Sequence, residues 1–289
     1  MYGASLRLLK TLEGSYKPGA SELPLLAEVA RMNKLYLAFL RAVRDSLPGE
    51  WASEEERFRR YIGGSLEVAK ALRGLRYGFY KFRRPVDHVS VDLDLLIHVD
   101  DVREAVRRLT SRGFRIAVSE PYTVTLKRGG FIVDLYTHPS FAWIVYMDGL
   151  RILKDYSEEF EVNGTYVSGI TREAEVAVAA AHAVYKEHMI LLIDCLTAWS
   201  WLTGRTICVA EELGARRALE KLLNICREIR VGISEAPYKL PHSSLLEIYA
   251  EKFSEDPTFR ATIMNILRYV VKRGDSGRAI LQRLTRKSY

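Results

Sequence analysis

"HVSVDLDLLIHVD", residues 88–100, alternates apolar and polar positions almost without a break. Successive side chains of a strand point to opposite faces. Val89, Val91, Leu93, Leu95, Ile97 and Val99 are therefore predicted to line one face, and Ser90, Asp92, Asp94, Leu96 and His98 the other. Two aspartates then share a face, ~7 Å apart along the chain. Like charges so placed repel one another and resist burial unless something compensates. A divalent cation does so directly: Mg²⁺ takes oxygen ligands and usually keeps one or two protein carboxylates together with substrate phosphates. An edge strand showing two acids to water is the plainer alternative.

Three further features lie around this strand. In "FIVDLYTH", residues 131–138, Asp134 is a single acid within an apolar strand, and the preceding Gly129-Gly130 hairpin can bring it beside the first. Asp92, Asp94 and Asp134 together could hold two cations, one at an attacking oxygen and one at a triphosphate. Upstream, Gly63-Gly64-Ser65 reads as a turn opening the helix "LEVAKAL". Backbone N–H groups at such a helix start can approach a phosphate, and the Ser65 hydroxyl can add a hydrogen bond; an ordinary glycine-rich helix start is the bland reading. Between the two, residues 68–86 carry no acid. They hold Lys70, Arg73, Arg76, Lys81, Arg83 and Arg84, interleaved with Tyr77, Phe79, Tyr80 and Phe82. Cations neutralise phosphates and rings can stack on bases, so the run suits a phosphate-bearing partner; otherwise it is a solvated helix end with core aromatics.

The chain has 289 residues, 48% of them apolar and 27% charged, with a net charge of +7. This is the profile of a globular protein with ample length for a packed core. No stretch reaches the roughly 18 uncharged apolar residues that span a bilayer, and the N-terminus lacks a signal peptide's apolar core. No membrane association and a cytoplasmic location are expected. The three cysteines, Cys195, Cys208 and Cys226, form no C-x-x-C pair. They are expected as buried apolar thiols rather than a zinc site or disulfide framework.

The periodicity of residues 21–46 predicts a helix ended by Pro48 and Gly49, followed by a short helix over 53–61 capped by Ser53. Asp101 and Glu104 fit a capping box, and Gly113 closes that helix. Residues 114–138 read as three strands, and 158–169 as a hairpin turning at Asn163-Gly164. From Thr171 the pattern is helical, a long helix or kinked pair running to Gly204. The expected organisation is an N-terminal helical segment (1–51), an α/β core (52–168) and a helical C-terminal domain (169–289).

A G-G-S turn, then Arg83 and Arg84, then Ser90-Val91-Asp92-Leu93-Asp94-Leu95, then a lone aspartate on a later strand, resembles the nucleotidyltransferase superfamily that includes DNA polymerase β. Within it, the order is similar to the abortive-infection toxin type and its uncharacterised prokaryotic relatives. The resemblance covers roughly residues 55–200. It implies an α+β fold, a nucleotidyltransferase-type mixed sheet with flanking helices followed by a helical C-terminal half. It further implies that Gly63, Gly64 and Ser65 hold the NTP, that Asp92 and Asp94 ligate Mg²⁺ or Mn²⁺, and that Asp134 completes the site and helps deprotonate the acceptor. Lys186 and Asp194 match loosely a further polar motif of that family's helical half, and at helical spacing they lie about two turns apart on overlapping faces. Arg83 and Arg84 fall to the acceptor.

The implied reaction moves a nucleoside monophosphate from an NTP to an acceptor hydroxyl, with release of pyrophosphate. RNA or tRNA is the favoured acceptor, a protein hydroxyl the other, and an antitoxin protein an implied partner. A silent nucleotide- or RNA-binding member of the fold, and a metal-dependent phosphohydrolase, are the competing readings. His182 and His188 read as packed or surface residues. Arg278, Arg283, Arg286 and Lys287 could extend the positive surface.

Overall fold

Pro48 opens a helix rather than closing one. The computed structural model describes residues 3–272, so Arg278, Arg283, Arg286 and Lys287 lie outside the described residues. Helices α1 (Ala4–Leu12), α2 (Leu23–Met32) and α3 (Tyr36–Ala42) lead into α4 (Pro48–Leu72), one helix of 25 residues. The expected stop at 47–51 and turn at Gly63-Gly64 are thereby corrected. Proline suits the first helical turn, where its missing N–H has no intrahelical acceptor to lose. The predicted helix over 21–46 is instead broken at Asn33-Lys34. Lys34 is left-handed, with φ 58°. The Asn33 side chain donates to the Val29 and Ala236 carbonyls (2.9 and 3.0 Å) and accepts from the Leu192 N–H (2.9 Å).

Strands β1 (Tyr77–Phe79) and β2 (Asp92–Ile97) precede α5 (Val102–Thr110). Strands β3 (Arg115–Ser119), β4 (Thr123–Arg128) and β5 (Phe131–Tyr136) follow as expected from the sequence. After a small ribbon of β6 (Ser140–Phe141) and β7 (Ile144–Val145) come α6 (Gly149–Asp155) and the hairpin β8 (Ser157–Val162) and β9 (Thr165–Ile170). Asn163 and Gly164 both have positive φ, as a tight hairpin turn demands. One mixed seven-stranded sheet results, in the order β3-β4-β5-β2-β1-β9-β8. Within it β2 is parallel to β5, and β1 is antiparallel to β2 and parallel to β9.

The alternation in β2 sorts its side chains between two cores. Leu93, Leu95 and Ile97 pack under α4 and α5 with Val68, Leu72 and Leu109, whereas Leu96 joins the helical core. The strand is shorter than the alternation suggested: Val91 and Val99, 72% and 54% exposed, lie outside it. The capping box at Asp101 does not form. Its carboxylate instead accepts from the Arg76 N–H and Nε (3.0 and 2.8 Å), and Glu104 pairs with Arg107 and Arg108.

Thr171 caps α7 (Arg172–Ala181), which passes into a π-helical turn, His182–Glu187, and a left-handed His188. A short strand β10 (Met189–Ile190) pairs with β11 (Tyr238–Lys239). Helices α8 (Leu192–Trp201), α9 (Gly204–Glu212), α10 (Arg216–Arg230), α11 (His242–Glu255), α12 (Pro257–Thr262) and α13 (Asn265–Lys272) complete the described chain. The alanine-rich α7 is buried nearly all round, and its Ala177 and Val178 share one apolar core with Leu26 and Phe39 of the N-terminal helices and Leu222 of α10. The N-terminal segment therefore packs with the helical half. Cys195 and Cys226, expected as thiols, form a disulfide joining α8 to α10, and Cys208 is exposed rather than buried. No described helix is long and apolar enough to cross a membrane.

Candidate active site

Parallel pairing of β2 with β5 sets Asp94 directly opposite Asp134 and leaves Asp92 one step along the same face. One carboxylate oxygen from each of the three lies within 4.8 Å of the others. Asp94 and Asp134 are 7% and 9% exposed. Thr125, the β4 partner of Asp134, donates its hydroxyl to Asp134 Oδ1 at 2.5 Å, and the Ser90 hydroxyl donates to Asp92 Oδ1 at 3.1 Å. Asp94 Oδ2 meets Lys81 Nζ at 2.7 Å, while Asp94 Oδ1 is buried with no hydrogen-bond partner. An all-oxygen donor set that includes a buried, orphaned carboxylate oxygen fits a hard divalent cation such as Mg²⁺ or Mn²⁺ rather than zinc.

The three carboxyls are not equivalent. Burial pushes Asp94 up to about 6; Asp92 and Asp134 add to this, and Lys81 and Lys186 oppose it. Burial also raises Asp134, with Asp92 adding to the effect and the Thr125 hydrogen bond working against it. For Asp92 burial acts upward too, but Lys81, Lys34, Lys186 and the Ser90 hydrogen bond together hold it below the usual range. The site thus holds one firmly ionised carboxylate beside two that take up protons more readily.

A cavity of about 210 Å³ opens on Asp92 and Asp94, with Lys34, Lys81, Arg84 and Lys186 in its wall. The four cations come from three places in the chain. The break between α2 and α3 delivers Lys34. The segment after β1 carries Lys81 and Arg84, and the π-helical turn carries Lys186, whose Nζ donates to the Tyr136 hydroxyl at 3.4 Å. Lys186 and Asp194 both line the cavity, but they do not share a helix as expected. Asp194 caps α8, accepting from the Leu191 N–H at 3.1 Å. His182 also lines the cavity, within 3.4 Å of Glu187, and His188 meets the Tyr249 hydroxyl at 3.0 Å. Lys34 carried no signal as a site residue in the sequence and Lys81 only that of one cation among six in the basic run, since tertiary packing brings them here.

Gly63, Gly64 and Ser65 sit in the middle of α4 instead of at a helix start. Interior helical N–H groups are bonded to carbonyls four residues back. The buried Ser65 hydroxyl donates to the Tyr61 carbonyl at 2.8 Å, so the triplet offers no free donor for a triphosphate. Gly64 has a packing reason instead: a Cβ there would lie 2.7 Å from Phe131 Cε2. Both glycines border a cleft of about 690 Å³ beside the carboxylates, walled by Arg57, Arg60 and Arg128 and reaching Ser90 and Val91.

Most rings of the basic run are not available for stacking, because Tyr77, Phe79 and Tyr80 are buried. Arg83 bonds the Glu158 carboxylate and the Ile170 carbonyl over the Phe160 ring. Arg84 donates to the Thr197 hydroxyl at 3.1 Å and borders the carboxylate cavity. The two expected acceptor arginines therefore part company: Arg83 braces the sheet, and Arg84 stays at the site.

No family model matches the chain, and no curated protein matches it. Among solved structures it is similar to a solution structure of the antibiotic-resistance factor ANT(2'')-Ia, at 14% identity over 59% of this chain and 96% of that one, with a TM-score of 0.40. It is also similar to a crystal structure of ANT(2'')-Ia in complex with adenylyl-2''-tobramycin, at 13% identity over 60% and 95%, with a TM-score of 0.35.

Proposed function

We propose that the protein is a metal-dependent nucleotidyltransferase, moving a nucleoside monophosphate from an NTP to an acceptor hydroxyl. The observation that carries this reading is the convergence of Asp92, Asp94 and Asp134 on one point beside a cavity walled by four cationic side chains. Carboxylates alone would suit many hydrolytic sites. Carboxylates facing Lys34, Lys81, Arg84 and Lys186 suit a metal-bound polyphosphate, whose charge the cations neutralise.

Asp92 and Asp94 would hold Mg²⁺ or Mn²⁺, which supplies charge neutralisation at the reacting phosphate. Arg84 and Lys186 would fix the β- and γ-phosphates, so that the acceptor oxygen meets the α-phosphorus in line with the departing pyrophosphate. As the new P–O bond forms and the α–β bond breaks, Asp134 would take the acceptor's proton. Its carboxyl, held above the usual range mainly by burial, is suited to that task. RNA or tRNA is the acceptor we favour: the arginine-walled cleft meets the carboxylate cavity at Ser90 and Val91, on a chain of net charge +7.

A second reading is nucleotide binding without turnover. It is favoured by the Lys81 ammonium, which lies against Asp94 where a cation would sit. Incubation with α-labelled NTPs, Mg²⁺ and total RNA or total protein decides. Label moving to a macromolecule supports transfer, intact NTP retained by the protein supports binding alone, and labelled NMP or NDP free in solution indicates hydrolysis.

A further inference from the structure

The β1–β2 connection aims one lysine at the carboxylate cluster and holds it there from several sides. Lys81 is left-handed, with φ 59°, an unusual state for a residue bearing a side chain and one that persists only where the surroundings impose it. The buried Glu175 of α7 does so by accepting the Lys81 N–H at 2.8 Å and the Arg83 N–H at 3.3 Å. One residue earlier, the Tyr80 N–H donates to the Asp94 carbonyl at 3.3 Å. The ammonium ends 2.7 Å from Asp94 Oδ2, with both side chains about nine-tenths buried, and lies 4.9 and 5.6 Å from the ring centres of Tyr80 and Tyr136.

A buried ion pair of this kind is a weak source of stability, because desolvation offsets most of the attraction. A purely structural partner for Asp94 would also be expected to satisfy both carboxylate oxygens, yet Oδ1 is left without a bond. A second cation, Lys186, also stands on Tyr136, 5.4 Å from its ring centre.

Resting on the reading of the carboxylates as a metal site, we infer that Lys81 is an exchangeable stand-in for the cation. Before metal binds, its ammonium holds Asp94 and offsets the repulsion among the three aspartates. When the metal–nucleotide enters, Lys81 releases Asp94 and turns to the incoming phosphates. Metal alone must displace a lysine that has nowhere better to go, so it binds weakly. Metal arriving with a triphosphate provides the lysine with a new anionic partner. Lys81 thus couples metal binding to nucleotide binding.

The test is Mn²⁺ binding to the metal-free protein without nucleotide, read as the loss of the free-ion paramagnetic resonance signal. Lys81→Met should tighten Mn²⁺ by about tenfold or more, because the competing state is removed. Lys81→Arg, which keeps the charge, should bind as weakly as the wild type, and Asp94→Asn should not bind. In the presence of ATP, which itself removes the free-ion signal, protein-bound Mn²⁺ is read by equilibrium dialysis, and the order should reverse, the wild type retaining Mn²⁺ more tightly than Lys81→Met. Equal or weaker Mn²⁺ binding by Lys81→Met alone would overturn the inference.

Should Lys81→Met not fold by itself, rescue of its folding by Mn²⁺ supports the exchange. Failure to fold with or without Mn²⁺, while the Lys81→Met/Asp94→Asn double variant folds, reduces Lys81 to a structural counter-ion. These readouts need no turnover. A protein that exchanges lysine for metal yet transfers no label keeps this inference and loses the proposed function, and the converse holds equally.

Discussion

Asp94 and Asp134 face one another across the parallel strands β2 and β5, each with a carboxylate oxygen held by a neighbour, Lys81 for one and Thr125 for the other. What remains is Asp94 Oδ1, buried and unbonded, with Asp92 beside it. Asp94→Asn should therefore abolish metal-dependent label transfer, by about a thousandfold or more. The fold should survive, since asparagine keeps the shape and can still accept from Lys81. Label transfer and a melting curve on the same preparation check both halves. A folded variant with wild-type transfer would remove Asp94 from the site.

The adjacent glycines of α4 give a contrast that reports their mid-helix position. Nothing lies within 4 Å of a Cβ built on Gly63, whereas one on Gly64 meets Phe131 at 2.7 Å. Gly63→Ala should stabilise the protein by about 0.5–1 kcal/mol through helix propensity alone. Gly64→Ala should gain the same and lose about 1–3 kcal/mol to overpacking, a net loss. Ser65→Ala should leave nucleotide affinity unchanged, because its hydroxyl already serves the Tyr61 carbonyl. Denaturant titrations of the two alanine variants and calorimetry of the third are the measurements. A nucleotide defect in Ser65→Ala would restore the triplet as a phosphate cradle.

These contrasts show where the sequence was legible. A period of two with a glycine pair between runs has one good solution, so β4, β5 and the hairpin at Asn163-Gly164 were readable, and the shared face of Asp92 and Asp94 with them. Pro48 and Gly63-Gly64 were not, because a proline fits a helix start as well as a stop, and a glycine inside a helix looks like a turn until Phe131 is found against it. Lys34 was invisible as a site residue, and Lys81 legible only as one cation of the basic run, for a different reason. No local pattern announces that a break after α2 and a left-handed residue after β1 will meet at one cavity. Nor does a spacing of 31 residues announce that Cys195 and Cys226 will pair across two helices.

That disulfide carries its own expectation. With both sulfurs buried and Cys208 exposed, the native protein should offer one thiol to iodoacetamide, and three after reduction in denaturant. Cys226→Ser should cost about 2–4 kcal/mol of stability, the usual range for a bridge closing a loop of this size. Mass spectrometry counts the adducts and a denaturant midpoint gives the cost. Three reactive thiols in the native, unreduced protein would show the bridge absent.

His88 should make the protein sensitive to acid. Burial, with the positive charges of Arg84 and Lys34, pushes its imidazole down to about 3. The unfolded chain binds that proton near pH 6.5 and the folded protein does not until about pH 3, so this group's contribution is intact above 6.5 and lost progressively as pH falls between the two. One proton of difference corresponds to about 1.4 kcal/mol per pH unit. His88→Gln should flatten the fall in unfolding free energy between pH 6 and 4 by about that slope. Parallel pH profiles for variant and wild type would mean that His88 titrates normally.

Arg83 and Arg84 are adjacent in sequence but should fail in different ways. The Arg83 guanidinium is held by Glu158, by the Ile170 carbonyl at 3.2 Å and by the face of Phe160, tying the β1–β2 connection to the far hairpin of the sheet. Arg83→Ala should lower stability by about 1–3 kcal/mol and change nucleotide affinity little. Arg84 donates to the Thr197 hydroxyl at the wall of the carboxylate cavity, and its charge also acts on the buried Glu175 carboxyl, opposing the upward push of burial there. A cation on that wall can meet a phosphate, and Arg84→Ala should weaken NTP binding by about tenfold. If RNA is the acceptor, its binding should weaken steeply with salt, and the log–log slope should become shallower by about one for each phosphate contact removed. The Arg84 change should then alter the slope no more than replacing both Arg57 and Arg60, which wall the larger cleft next to the site. Calorimetry with NTP, salt titrations with RNA and melting curves on the separate variants distinguish these effects. NTP affinity that follows Arg83 instead of Arg84 would mean that the nucleotide lies at the β8–β9 hairpin and not at the aspartates.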